Sequence, residues 1–65
     1  MMDTKLTVRA RFFSARPIET RRVLVEPDGT IRVWDKVAGH YTVCHALSRS
    51  AERRIRQLAR AARSA

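Results

Sequence analysis

Between residues 5 and 13 apolar and polar side chains alternate. Leu6, Val8, Ala10 and Phe12 fall on one side, Thr7, Arg9, Arg11 and Phe13 on the other. A period of two marks a strand with one buried face, so this stretch predicts a first strand over 5–13. Ser14, Ala15, Arg16 and Pro17 then break the run, because proline fixes its own backbone and restricts the residue before it. A second strand is expected over 19–26, around Val23, Leu24 and Val25. Pro27-Asp28-Gly29-Thr30 is the strongest turn signal in the chain and predicts a short hairpin into a third strand over 31–37. There Ile31, Val33, Asp35 and Val37 alternate with Arg32, Trp34 and Lys36. After Gly39, the β-branched stretch 41–45 predicts a fourth short strand.

From Ser48 the period changes. Ala51, Ile55, Leu58, Ala59 and Ala62 recur at helical spacing, with neither glycine nor proline among them. Ser48 is a natural N-cap, since its hydroxyl can accept an amide hydrogen of the first turn. A helix over 49–63 with a single apolar stripe is marginal alone and should pack on the apolar face of the sheet. The expected fold is α+β: one domain over 1–65, a small antiparallel sheet of three to four strands packed against one C-terminal amphipathic helix.

At 65 residues such a domain buries only roughly 60% of its unfolded surface. A deep enclosed pocket or a large cofactor is therefore not expected. No apolar run approaches the ~20 residues that cross a bilayer, and the first residues lack the apolar stretch of a secretory signal. A single cysteine, Cys44, makes no internal disulfide. These features predict a cytoplasmic protein that needs neither cofactor nor metal and does not insert in a membrane.

Charge sharpens the picture. Fourteen Lys and Arg against six Asp and Glu give a net charge of +8. Twelve of the fourteen are arginine, whose planar fork of donors suits phosphate and stacks on bases. A GC-rich genome would also favour arginine over lysine, but it would not create the excess of positive charge. At 100° per residue, Arg49, Arg53, Arg56, Arg60 and Arg63 share an arc of about 80° on the predicted helix. Glu52 is the helix's one acid. That stripe reads either as an ordinary solvated face or as a phosphate-contacting surface. On the sheet, Arg9, Arg11, Arg32 and Lys36 are expected to point away from the helix, with Trp34 among them. Trp34 then reads in three ways: a base-stacking platform, a core residue at a sheet edge, or, with Phe13, part of a homodimer interface. A basic two-stranded ribbon entering a major groove is a further option.

His40, Cys44 and His45 raise two chemical readings. Their spacing does not form the two close ligand pairs of a structural zinc site. A Cys–His nucleophilic pair would need an orienting third group and a pocket, and a lone cysteine in a strand is commonly a small buried apolar residue. General acid–base cleavage of RNA by His40, His45 and Tyr41 would be enough for a small ribonuclease toxin.

The stretch 33–48, followed by 52–59, resembles small uncharacterised proteins of bacterial genomes and mobile elements. The resemblance implies a bacterial accessory protein of the intracellular kind, with no activity or functional residue attached. Taken together, the residues predict a non-enzymatic module binding DNA or RNA through Arg9, Arg11, Arg32, Trp34, Arg49, Arg53, Arg56, Arg60 and Arg63. The alternative is an inhibitor or adaptor from a phage or plasmid that docks on an acidic protein surface, and a ribonuclease toxin is the third. A homodimer is expected under each, because so small a core gains from a second subunit.

Overall fold

The computed structural model describes residues 2–64. Four antiparallel strands, β1 (Thr4–Ala10), β2 (Glu19–Val25), β3 (Ile31–Asp35) and β4 (His40–Val43), form one sheet in the order of the chain. The helix α1 (Arg49–Ser64) lies across one face of that sheet. The architecture is the expected α+β arrangement, with the sheet left open.

Register fixes which side chains share a face. Leu6 pairs with Val23 and Val23 with Val33, while Val8 pairs with Arg21 and Val25 with Ile31. These positions look toward the helix. Val8, Phe12, Val23, Val25, Ile31 and Val33 are buried there against Ala51, Ile55 and Ala59 of α1. Phe12, Ile55, Val8 and Val23 lose all contact with solvent. The helix thus packs through the predicted stripe. Leu58 is partly covered, and Ala62 remains exposed at the far end.

The β2–β3 hairpin follows the turn chemistry of its sequence. The Gly29 amide donates to the Glu26 carbonyl and the Glu26 amide to the Thr30 carbonyl, both at 2.9 Å. Gly29 holds a φ of +95°, a conformation that only glycine adopts without strain. The Asp28 carboxylate accepts from the Thr30 amide at 2.9 Å.

Two strands end earlier than alternation predicts. β1 stops at Ala10 rather than at residue 13, because the next carbonyls are taken by the helix entry. Ser48 donates its hydroxyl to the Arg11 carbonyl at 2.5 Å and its amide to the Phe12 carbonyl at 2.8 Å. The chain turns there, so Phe12 enters the core. Phe13, expected on the helix-free face with Arg9 and Arg11, instead packs against the core cluster. β3 stops at Asp35 rather than at residue 37. Its carboxylate accepts from the amides of Val37 and Ala38 at 2.9 and 3.1 Å, which converts the continuation into a turn. β4 accordingly begins at His40 and ends at Val43, in place of the expected 41–45.

Ser48 also caps α1: its hydroxyl oxygen accepts the Ala51 amide at 3.2 Å. One side chain therefore both starts the helix and ties it to the end of β1. Two substitutions separate these contributions. Ile55→Ala should cost about 2–5 kcal/mol in urea unfolding, because it empties a fully buried site. Ser48→Ala should cost about 1 kcal/mol or somewhat more, the usual cap loss plus a lost tie to β1. If Ser48→Ala costs as much as Ile55→Ala, the tie outweighs the packing.

Candidate nucleic-acid interface

The helix leaves one face of the sheet uncovered, and register places its side chains in rows. Lys5, Leu24, Arg32 and Val43 form one row across all four strands. Thr7 lies opposite Arg22, Trp34 opposite Tyr41, and Arg9 opposite Thr20. No strand contributes an acid to this face. Leu24 is buried here, outside the main core cluster, between Lys5 and Arg32, whose aliphatic stems can lie over apolar surface.

The face is built around Trp34. The Arg22 guanidinium carbon stands 5.0 Å from the centre of the Trp34 ring system. Tyr41 meets Trp34 edge-on, with ring centres 5.1 Å apart and planes at 76°. Stacked Arg on Trp contributes about 0.5–1 kcal/mol at a surface site, and an edge-on aromatic pair adds a similar amount. Trp34 is half-buried. It is neither in the core nor fully free: its ring is packed by two neighbours on a face that water reaches.

Beside this cluster the sheet loosens. The β2–β3 ladder stops at Val23 opposite Val33, although both strands continue. A cleft of about 920 Å³ opens there. Thr20, Arg22 and Trp34 line it from the open face, and Phe13, Arg21 and Cys44 from the helix side. Arg21 is ion-paired with Glu19 and lies over the Phe13 ring at 5.3 Å. That volume lies within the ordinary range for ligand clefts.

Not every cation is equally available. Arg32 is ion-paired with Glu26, and the bond to that carboxylate holds its guanidinium even more firmly protonated than usual. Lys5, Arg9 and Arg22 have no ion-pair partner among the described residues. Arg11 is exposed just beyond the end of β1. On the helix Arg49, Arg53, Arg56, Arg60 and Arg63 are all exposed, and Arg56 and Arg63 also bond to groups of the sheet and its β2–β3 turn. Arg56 bonds the Glu52 carboxylate and donates to the Gly29 carbonyl at 3.1 Å. Arg63 reaches the Thr4 hydroxyl and the Glu26 carbonyl at 3.4 and 3.5 Å. The stripe of five is thus exposed throughout, with Arg56 and, through longer bonds, Arg63 also tied to the sheet. Moreover, the stripe sits on the layer opposite Trp34, so the basic helix and the basic sheet make two surfaces rather than one.

The sequence pattern does not single out Arg22 or Tyr41 as a contact residue. Their signal lies in pairing: Arg22 adjoins Trp34 only once β2 and β3 are neighbours. Strand alternation separates the histidines from Tyr41, since His40 pairs with Asp35 on the other face and Tyr41 pairs with Trp34 on the open one. His45 lies beyond the end of β4, in a turn. Among the described residues, no three His, Cys, Asp or Glu side chains gather where they could hold one metal ion. Cys44 is half-buried against the core. No helix among the described residues is long and apolar enough to cross a membrane.

Searches of protein-family models, curated proteins and solved structures gave no match to this chain.

The turn that carries Trp34 into Tyr41 depends on Asp35. Amide bonds from Ala38 and then Val37 hold its carboxyl below the usual aspartate range. A depressed folded pKa adds stability that is complete above the unfolded value and is lost as pH falls through the folded one. The Tm should therefore drop as pH falls below about 4. In Asp35→Asn, which keeps an acceptor without the charge, the drop should be smaller. Parallel acid profiles in thermal melts would show that this carboxylate does not hold the turn.

Proposed function

We propose that this protein is a nucleic-acid-binding module whose contact surface is the helix-free face of the sheet. The observation that carries this reading is the Trp34 cluster. An arginine is stacked on an exposed-side tryptophan, a tyrosine packs at its edge, and Lys5 and Arg9 stand on the same face without ion-pair partners among the described residues. Phosphates match the cations and base rings match the aromatic surface. Arg32 acts as a weaker contact because Glu26 already neutralises it. The outward helix arginines Arg49, Arg53 and Arg60 make a second, accessory surface on the other layer, where they would add non-specific attraction.

Three phosphate contacts give a moderate salt dependence. Between 50 and 200 mM salt the affinity should fall about 20- to 40-fold by counterion release. Arg9→Ala and Arg22→Ala should each weaken binding and lower the log–log salt slope by about 0.7–0.9. Arg53→Ala should change both much less. Fluorescence anisotropy with labelled oligonucleotides measures all of this. A flat salt response, or a larger loss from Arg53→Ala than from Arg9→Ala, would overturn the assignment of the surface.

A further inference from the structure

The shape of the Trp34 cluster restricts what kind of nucleic acid the open face can use. Stacking requires a base whose flat face is bare, and duplex bases are covered above and below by their neighbours. Resting on the reading above, we propose that the ligand is a single-stranded polynucleotide, one of whose bases stacks on Trp34 at the mouth of the β2–β3 cleft.

Arg22 is the residue that makes this arrangement specific. Its guanidinium stands over a face of the Trp34 ring system, so a base reaching that face meets the guanidinium. An incoming base takes the place of the guanidinium or stacks on it, since a guanidinium plane is itself a stacking surface. A displaced Arg22 has nearby phosphate to bind. The exchange costs little, because the Arg22 stack on Trp34 is weak by itself and the charge stays in a wet environment. The cleft beside Trp34 provides room: β2 and β3 are not paired past Val23 and Val33, and the cleft of about 920 Å³ runs past their ends to Thr7 and to the chain after β4. Thr20, facing Arg9 across the ladder, lines the same opening and brings a hydroxyl that can donate or accept at a base edge or a sugar. Tyr41, edge-on to Trp34, holds the tryptophan ring from the β4 side.

Charge argues against a second copy of this chain as the occupant. A two-fold contact through this face would bury Lys5, Arg9 and Arg22, and the strands of the other copy would bring no acid on that face to meet them. A polyanion supplies that missing negative charge.

Trp34 is the one tryptophan in the chain, so its emission reports directly on the site. The experiment compares a 12-nucleotide strand with its own duplex, in RNA and in DNA, by anisotropy and by Trp34 emission. The single strand should bind more tightly and quench or shift the emission, and the duplex should bind weakly with emission unmoved. Trp34→Leu keeps apolar bulk but removes the stacking ring. It should weaken single-strand binding about 5- to 150-fold and leave duplex binding unchanged, with Trp34→Phe in between. Thermal melts of both variants verify that the fold is retained, and the emission arm on the unaltered protein stands independently of them. Equal, salt-dependent binding of strand and duplex with unmoved emission overturns the single-strand assignment while leaving the basic nucleic-acid surface in place. No binding of either form overturns both.

Discussion

The helix is fastened to the sheet at its first turn, and the rest of the arrangement follows from that attachment. Ser48 accepts the Ala51 amide and gives its own hydroxyl and amide to the carbonyls of Arg11 and Phe12. β1 must end where those carbonyls turn away from β2, and Phe12 is delivered into the core beneath Ile55 and Ala51. With its first turn set over the end of β1, α1 can cover only one face of the sheet. Among the described residues there is one helix, and the other face stays open. The open face is thus a consequence of topology, and its polar and cationic side chains are what allow it to remain uncovered.

Charge is then distributed by the same geometry. The helix and the open face lie on opposite sides of a two-layer fold, so the positive residues do not pool. Arg56 and Arg63 fold back to carbonyls at the β2–β3 turn and to Thr4, where they act as clasps. Arg32 is tied to Glu26. What remains on the sheet is a small set of cations without ion-pair partners among the described residues, around one half-buried aromatic. A large formal charge thereby resolves into a few residues with distinct roles.

Much of the fold was legible because it rests on local chemistry. Alternation at Leu6, Val8 and Ala10, the turn at 27–30 and the helical spacing of Ala51, Ile55 and Ala59 each act within a few residues. The differences came from interactions that reach across the chain or from a side chain to the backbone. Ser48 takes the carbonyls of Arg11 and Phe12 from 37 and 36 positions away, which ended β1 early and moved Phe13 to the core side. Asp35 looked like one more member of an alternating strand, yet its carboxylate builds the turn after it. At the site, Trp34 and Arg9 stood out by residue type and alternation. Arg22 and Tyr41 become partners of Trp34 only through strand order, which no single stretch of sequence contains.

The sheet has two free edges, and they are protected differently. β4 is four residues long and ends in a turn, too short to template a long ladder. β1 is seven residues long and would be the natural place for another chain to pair, but Lys5 and Arg9 along it, with Arg11 just beyond, make such an approach unfavourable. The cations of β1 thus protect this edge against pairing with another chain. A variant stripped of them would be expected to self-associate as a growing β-ladder, and the open edge would then become an aggregation seed.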